Sequence, residues 1–445
     1  MKQPIKVLIA IIGCSFAGFS AKAQSEAVEH RLSVKQAVDY AAKNNVQVKN
    51  ALLDIQIQQE VNREVASAAL PTISASGSFT DNLKLQTTLL PGELVGQPGT
   101  FVPVTFGTKY ITSGSLDASQ LLFDGQVFIG LRARRTSLLW KQKNAEITEE
   151  SIRANVYKIY YQLVLSKTQI ALLDANIALI EKLKHDAGVM YENGFAEKLD
   201  VDKNDVQLTN LQTEKEKVLV SVANGYNGLK VLLGMPVKDK LILTDSLSDE
   251  QIRSNVLQDA VYSYEDRRDF QYLLLSRRLN DYNVKRYQYS KLPTLSVAAN
   301  YNKQLQENNF RFDGNWFTAS YVALRLSVPI FKGFGNNARI NQAKLAVQQS
   351  NNQLENMKMS IDNEVEAAKN NFKTAIAIMD YQKKNMALAE NVYNQTKKKY
   401  EVGTGSQTEI NTAQTDLKTA QTNYVSALYD AAVAKIDFLK AIGKL

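Results

Sequence analysis

Two short stretches, Tyr191-Glu192-Asn193-Gly194 and Tyr400-Glu401-Val402-Gly403, decide how this chain is organised. They share a Tyr-Glu pair followed two positions on by glycine, and they lie 209 residues apart. Leu233-Gly234 recurs as Ile442-Gly443 at the same distance. Glycine at these positions is typical of a helix end that needs a positive φ. Two separate short motifs thus recur at the same distance along the chain. This predicts that the chain contains the same unit twice.

Further repeated motifs extend the duplication towards the N-terminus. Phe123-Asp124-Gly125 recurs as Phe331-Lys332-Gly333 at a distance of 208 residues, and Leu70-Pro71-Thr72 recurs as Leu292-Pro293-Thr294 at 222 residues. The first copy is therefore about 14 residues longer between these two marks, in a stretch rich in proline and glycine. We expect repeats at 24–234 and 257–445, joined by a linker at 235–256.

The bulk composition excludes several classes of protein. The 445 residues include one cysteine and two histidines, which argues against a disulfide scaffold and against a Cys/His metal cluster. The net charge of +8 is only a modest indication of a nucleic-acid partner. No phosphate-binding loop, zinc-protease motif or nucleophile elbow is present. We therefore expect no enzyme activity, no catalytic residue, no cofactor, no metal and no nucleic-acid partner.

The first 23 residues have the form of an export signal. Lys2 and Lys6 precede the apolar run 7–19, and Ala21-Lys22-Ala23 fits a signal-peptidase site. An alternative is a lipoprotein signal, because Ile11-Ile12-Gly13-Cys14 resembles a lipobox. Either interpretation takes the chain out of the cytosol. No later run reaches the roughly 18 consecutive apolar residues of a transmembrane helix.

Each copy contains two stretches in which polar and apolar residues alternate. They predict strands at about 72–90 and 108–123, and at about 294–306 and 316–331. One face would be apolar and the other rich in Ser, Thr, Asn and Gln, which suits either a soluble antiparallel sheet or the wall of a membrane β-barrel. Four strands cannot close a barrel, and open edges are not tolerated in lipid, so a barrel would have to be shared by several chains. Aromatic residues near the strand ends are candidates for the girdles of such a barrel: Phe79, Tyr110, Phe123, Tyr301, Trp316, Tyr321 and Phe331.

The remainder of each copy predicts a helical hairpin. No glycine or proline interrupts 131–187 or 336–402, so we expect long helices at about 126–190 and 334–402, with return helices at 196–233 and 406–442. Apolar residues follow a four-three spacing in both long helices, which is typical of coiled coils. A second apolar stripe lies about two positions further on. A helix with two stripes packs against neighbours on both sides.

The chain resembles the TolC outer membrane efflux family along nearly its whole mature length. The resemblance rests on the duplicated strands, the two Phe-x-Gly motifs, the long helices and the glycine turns. The resemblance implies an α+β membrane protein in which a homotrimer shares a 12-stranded β-barrel, continued by a coiled-coil α-helical barrel. It implies the exit duct of a tripartite efflux or type I secretion system in the outer membrane, extending into the periplasm. The implied partners are outer-membrane lipid, a periplasmic adaptor (membrane fusion) protein and an inner-membrane pump of the RND, ABC or MFS type. The alternative is a structural coiled-coil surface protein without transport activity.

The resemblance also assigns roles to individual residues. The turns would contact the adaptor through Tyr191, Gly194, Tyr400, Gly403 and Gly405. Acidic residues on the return helices would form the periplasmic constriction: Asp200, Asp202, Asp205 and Glu409. The family often has Gly-Thr-Arg followed by two aspartates at the second turn, whereas this chain has Gly403-Thr404-Gly405, Glu409 and Thr412. The arginine and one acidic position are therefore missing.

Overall fold

A computed structural model describes residues 28–96, 98–253 and 261–445. The predicted signal peptide, 1–23, and Cys14 lie outside the described residues. The chain divides into two compact units. One contains the described parts of 1–46, 152–255 and 372–436. The other contains the described parts of 47–151, 256–371 and 437–445.

The described elements alternate between strands and helices in two similar series. In chain order they are β1 (Glu29–Leu32), α1 (Val34–Asn44), α2 (Val46–Ser67), β2 (Thr72–Asp81), β3 (Thr87–Pro91), β4 (Phe101–Thr105), β5 (Tyr110–Phe123), α3 (Gly125–Glu192), α4 (Lys198–Leu233), β6 (Lys240–Leu243), α5 (Asp249–Arg253), α6 (Arg268–Tyr289), β7 (Thr294–Glu307), β8 (Trp316–Ser327), α7 (Gly335–Glu401) and α8 (Gln407–Ala441).

The sheet of the second unit contains four antiparallel strands in the order β2-β5-β7-β8. Strands β2 and β8 are its edges, and every residue of both is exposed. In the described part of the chain, each edge strand pairs only with its inner neighbour. An exposed edge this long is a surface for pairing with another chain.

The first predicted strand differs from the structure. The expected strand at 72–90 ends at Asp81, because the next residue turns away and donates through its side chain to the carbonyl oxygen of Thr108 at 2.9 Å. The residues of β3 instead pair with β4, which lies between the two predicted strands of the first copy. In the second copy, β8 ends at Ser327 rather than at about 331, since Pro329 has no N–H to donate to a neighbouring strand.

The expected linker at 235–256 also contains regular structure. Strand β6 pairs in parallel with β1, with Glu29 opposite Lys240, and the short helix α5 follows. Both strands have only four residues, which is too few for an alternation to be recognised in the sequence. Their pairing joins residues more than 200 positions apart.

The core of the first unit is formed by the helices that flank the two turns. One buried cluster combines Leu173 and Ile180 of α3 with residues of the other three long helices: Leu208, Leu211, Tyr393, Ile410 and Leu417. The four-three spacing of α3 therefore includes residues that are buried within the single chain. The same helix contains an 18-residue window with a mean hydropathy of 1.5. Its length and composition would permit a membrane crossing, which the criterion of an uninterrupted apolar run had excluded.

Candidate functional site

Both helical turns are built by the same backbone motif. At the first turn, Gly194 has φ +80°, its N–H donates to the carbonyl oxygen of Tyr191 at 3.0 Å, and the N–H of Phe195 donates to that of Met190 at 2.8 Å. At the second turn, Gly403 has φ +78° and donates to Tyr400 at 3.0 Å. This pair of hydrogen bonds is the Schellman motif, which ends a helix on a left-handed residue. The repeated position of glycine in the two turns therefore has a local conformational cause.

The two tyrosines occupy equivalent positions but different surroundings. Tyr191 is exposed, whereas Tyr400 packs beside the buried cluster of the first unit. The hydroxyl of Tyr400 lies 3.8 Å from Sδ of Met190, and burial raises the pKa of this phenol. Tyr400 thus helps to join the second turn to the first, while Tyr191 remains available at the surface.

Gly405 has a different role from the two turn glycines. A Cβ added at this position would lie 3.0 Å from the backbone nitrogen of Tyr400 and 3.1 Å from Cβ of Lys399. Its own N–H donates to the carbonyl oxygen of Lys399 at 3.0 Å. The absence of a side chain at 405 therefore allows the chain to pass close to the end of α7.

The predicted acidic residues are not equivalent. Asp200 forms an ion pair with Lys203 at 3.3 Å, and Asp205 forms one with Lys184 at 2.6 Å. The carboxylate of Glu409 accepts from the backbone N–H of Ser406 at 3.3 Å, and the Ser406 hydroxyl accepts from the N–H of Glu409 at 3.2 Å. This reciprocal arrangement is a capping box at the start of α8.

Asp202 faces a groove between α4 and α8 with a volume of about 640 Å³. The opposite wall contributes Thr412, at the position where the second acidic residue was missing, and Asp416 one turn further along α8. Both aspartates are exposed. The structure therefore brings together Asp202 and a carboxylate that the sequence analysis did not select.

A row of amides, four of them buried, also escaped the sequence analysis. It comprises the five residues that we call the amide ladder: Asn176, Asn204, Gln407, Gln414 and Gln421. The Gln407 amide donates to Oδ1 of Asn204 at 3.1 Å, and the Gln414 amide donates to Oδ1 of Asn176 at 3.1 Å. The Asn176 amide in turn donates to Oε1 of Gln421 at 3.0 Å. The feature of the sequence that could have revealed this row is the seven-residue spacing of the three glutamines in α8.

Polar residues at such core positions fix the register of packed helices at some cost in stability. Gln407 is 7% exposed and Asn204 is fully buried. Nevertheless, Oε1 of Gln407 has no hydrogen-bond partner among the described residues. The packing of α8 at this level is consequently specific, but its polar groups are not fully satisfied.

The register of the sheet separates a polar face from an apolar face. Residues directly opposite each other lie on the same face. On the polar face, the hydroxyls of Ser76 and Ser115 are 2.8 Å apart, as are those of Ser78 and Ser113. Further along this face, the amide of Asn300 donates to Oδ1 of Asp117 at 2.7 Å. The predicted polar face is thus a continuous row of hydrogen-bonding groups across neighbouring strands.

The predicted aromatic girdle is corrected at two positions. Tyr321 lies opposite Asn300 and therefore belongs to the polar face, while Phe331 follows the end of β8. The other five share the apolar face: Phe79, Tyr110, Phe123, Tyr301 and Trp316. Phe123 reaches this face because a β-bulge after Leu121 brings it opposite Leu295. Assigning residues to the two faces by odd and even positions in the sequence could not reveal that bulge.

Two aromatic residues of the β7–β8 loop join the apolar face. The ring of Phe310 lies 5.6 Å from that of Phe79 and 5.8 Å from that of Tyr110. Phe312 contacts Phe310 at 5.2 Å. These residues had been missed because they lie in a loop. Together they form an aromatic cluster at one end of the sheet.

Among residues 28–96, 98–253 and 261–445, no group of three or more His, Cys, Asp or Glu side chains is placed to hold a metal ion.

Comparisons with known proteins agree with this architecture. A family model described as "Outer membrane efflux protein" matches residues 263–444. The outer membrane protein TolC of Vibrio cholerae is 20% identical over 340 residues, which are 75% of this chain and 77% of the relative. TolC of Escherichia coli is 19% identical over 453 residues, covering 99% and 87% of the two chains. The crystal structure of the Campylobacter jejuni CmeC outer membrane channel has a TM-score of 0.74 at 18% identity, covering 92% of this chain and 85% of that one. The predicted α+β fold is confirmed.

Proposed function

We propose that this chain is an outer membrane efflux protein and that three copies form the passive exit duct of a tripartite efflux or type I secretion system. In this proposal the four-stranded sheets of three chains close one barrel, and the long helices form the wall of a tunnel in the periplasm. A periplasmic adaptor protein and an inner-membrane pump of the RND, ABC or MFS type deliver the substrate.

The observation that carries the proposal is the sheet with one polar face, one apolar face and two exposed edges. Edge strands in a membrane must find partners, because lipid cannot hydrogen-bond to their N–H and C=O groups. Strands β2 and β8 supply such edges on each chain. Pairing β8 of one chain with β2 of the next closes the sheet without changing its faces. The serine-rich polar face then lines the lumen, and the apolar face contacts lipid.

The helical turns are the proposed contact with the adaptor. Tyr191, Phe195 and Val402 are exposed large side chains at the two turns, with 47%, 79% and 73% of their surface accessible. Exposed apolar residues at a rigid backbone motif are typical of a protein interaction site. Tyr400, Gly403 and Gly405 would support this surface by holding the second turn against α7 and the first turn.

The acidic constriction is proposed mainly for Asp202 and Asp416. Rings of carboxylates favour cations over anions in a narrow channel. Asp200, Asp205 and Glu409 contribute charge as well, but each is partly committed to a lysine or to the capping box. Asp202 and Asp416 line the same groove, and both are exposed.

The test combines assembly with conduction. Purified full-length protein is expected to have the mass of a trimer and to open water-filled pores in planar lipid bilayers. A monomer that conducts no current would overturn the proposal and favour the structural surface protein. Crosslinking in cells followed by purification is expected to recover the adaptor and pump, and the pump recovered defines the class of system.

A variant separates the turns from the barrel. Replacing Gly403 by proline removes the donor of the 3.0 Å hydrogen bond to Tyr400 and forbids the positive φ. We expect this variant to assemble in the outer membrane but to lose export. Gly188→Ala is a matched control, because Gly188 lies within α3 and a Cβ there meets no atom within 4 Å. Normal export by Gly403→Pro would count against the turns as the adaptor contact.

A further inference from the structure

The segment that joins β8 to α7 exposes an unusual concentration of apolar side chains. Ile330 is 94% exposed, and Phe331 and Phe334 are each 72% exposed. The rings of Phe331 and Phe334 lie 5.3 Å apart in an edge-to-face contact. A contiguous exposed apolar patch normally marks a surface that contacts something else.

This patch continues the membrane-facing side of the sheet. Alternate residues of β8 on the apolar face are Val322, Leu324 and Leu326, all more than 60% exposed. The same alternation continues beyond the end of the strand at Val328 and Ile330. The apolar stripe therefore ends at Ile330, which is followed by Phe331 and Lys332. An aromatic residue followed by a lysine is the arrangement expected at the boundary between acyl chains and headgroups.

A second lysine reaches the same place from the neighbouring strand. Because Thr294 pairs with Ser327, the residues before β7 lie beside those after β8. Lys291 and Lys332 accordingly line one groove of about 250 Å³, together with Ile330, Phe331 and Phe334. Nζ of Lys291 donates to Oδ1 of Asn337 at 2.8 Å, which holds its ammonium group at the groove. Positive groups and apolar side chains thus share a single recess.

The backbone supports this arrangement at some cost. Phe334 has φ +60° and is the only residue other than glycine with a positive φ in the described part of the chain. A left-handed conformation is unfavourable for a residue with a Cβ, and such strain is concentrated at functional sites. Here it accompanies an exposed ring beside Phe331.

The first copy lacks these features. At the equivalent junction, Asp124 stands in place of Lys332 and Gln126 in place of Phe334. The carboxylate of Asp124 accepts from the backbone N–H of Gln126 at 2.7 Å and caps α3. The two junctions therefore have the same topology but opposite charge, and a phosphate group would be repelled from the first.

We propose that the β8–α7 junction, residues 328–334 with Lys291, is a docking site for an anionic phospholipid of the outer membrane. Lys291 and Lys332 bind the lipid phosphate, and Ile330, Phe331 and Phe334 contact the first part of the acyl chains. The occupant is a membrane lipid, because the site lies at the end of the apolar stripe of β8 and requires both charge and apolar contact. The site rests on the proposed membrane-facing role of the sheet and gives that face a specific ligand.

The test is native mass spectrometry of the full-length protein in detergent, titrated with dioleoylphosphatidylglycerol. Loss of one lysine near a lipid surface weakens binding by about fivefold. Lys291→Gln and Lys332→Gln are each expected to show this loss, and dioleoylphosphatidylcholine is expected to bind more weakly than the anionic lipid. Lys344→Gln, an exposed lysine further along α7, removes the same charge and is expected to change nothing. Millimolar inorganic phosphate is expected not to displace the lipid.

A further variant separates binding from folding. Phe334→Gly removes the ring and also relieves the unfavourable φ, so the protein is expected to fold at least as well while binding the lipid more weakly. Lipid affinity that is unchanged in the Lys291→Gln/Lys332→Gln protein, or equally reduced in Lys344→Gln, would overturn the proposal. Pore formation by the wild-type protein is measured separately. Pores without lysine-dependent lipid binding contradict only this inference, and lysine-dependent binding without pores contradicts only the proposed duct.

Discussion

The side-chain amide of Asn45 donates a hydrogen bond of 2.7 Å to the carbonyl oxygen of Leu232 in the last turn of α4. At the equivalent place in the second copy, Nη1 of Arg267 donates at 2.8 Å to the carbonyl oxygen of Ala441 in the last turn of α8. Carbonyl groups in the last turn of a helix have no partner within the helix. Each copy therefore closes the end of its return helix with a side chain from the same repeat position, although the residue type differs.

We predict that Asn45→Ala lowers the free energy of unfolding by about 1–3 kcal/mol, because it leaves the partly buried carbonyl oxygen of Leu232 without this donor. Arg267→Ala should cost more, since the guanidinium also pairs with Asp269 at 2.6 Å and Glu364 at 2.9 Å. Apparent melting temperatures of the purified proteins check the order. Arg267→Lys is the control, because it keeps the charge but not the planar set of donors. Equal stability of Asn45→Ala and wild type would contradict the assignment.

Glu409 allows stability to be separated from conduction. Glutamine can replace glutamate in a capping box, so Glu409→Gln should keep the stability of α8 while removing one charge. Glu409→Ala should destabilise the helix by about 0.5–2 kcal/mol. If Glu409 contributes to the constriction, both variants should reduce the cation preference of the pore, measured as a reversal potential in a salt gradient.

Asp202→Asn and Asp416→Asn provide the comparison for Glu409. Neither aspartate takes part in the capping box, and both line the groove between α4 and α8. Their loss should reduce cation preference more than Glu409→Gln does. A larger effect from Glu409→Gln would instead make Glu409 the principal carboxylate of the constriction.

The amide ladder predicts strong coupling between Asn204 and Gln407. Either single change to leucine leaves a buried amide without its partner and should destabilise the protein by about 1–3 kcal/mol. The double variant Asn204→Leu/Gln407→Leu removes both groups and should be more stable than the sum of the single changes predicts, by at least about 0.5 kcal/mol. Thermal unfolding of the four proteins measures this coupling. Additive effects would show that the 3.1 Å hydrogen bond contributes nothing specific.

The contacts of α5 predict a dependence on pH. Asp249 accepts from Nζ of Lys383 at 2.6 Å and from the hydroxyl of Tyr424 at 2.8 Å. Burial by itself raises the pKa of Asp249, but these hydrogen bonds outweigh it and leave the pKa below its ordinary value. Burial and the hydrogen bond to Asp249 raise the pKa of Tyr424 to about 12.

The sign of each shift determines the pH range. The lowered pKa of Asp249 stabilises the folded state above about pH 4 and loses this effect as the pH falls through the folded value. The raised pKa of Tyr424 stabilises the folded state below about pH 10 and loses this effect as the pH rises through about 12. Asp249→Asn should therefore melt below wild type at pH 7, and the difference should shrink near pH 3. A difference in melting temperature between Asp249→Asn and wild type that persists at pH 3 would contradict this explanation. Tyr424→Phe tests the loss of stability that is expected as the pH rises through about 12.

Features that depend on neighbouring residues were readable from the sequence. The turn glycines are required by backbone geometry within five residues, and the long helices end close to the predicted positions because glycine marks their limits. The Ser406-x-x-Glu409 spacing of the capping box was also readable, because it lies within four residues. The heptad spacing of Gln407, Gln414 and Gln421 indicated polar core positions, but not their partners on α3 and α4.

The sequence by itself predicted that this chain contains one unit twice, because short motifs recur in the same order and the turn glycines among them have a local physical cause. Only the tertiary structure decided which side chains meet. The bulge after Leu121 and the register of β8 assign Phe123 and Tyr321 to opposite faces of the sheet. Likewise, β1 pairs with β6, and Lys291 and Lys332 line one groove, although the paired segments are distant in the chain. Such contacts depend on strand register and helix packing. Because all the residues of an element set these together, no single residue in the sequence reveals them.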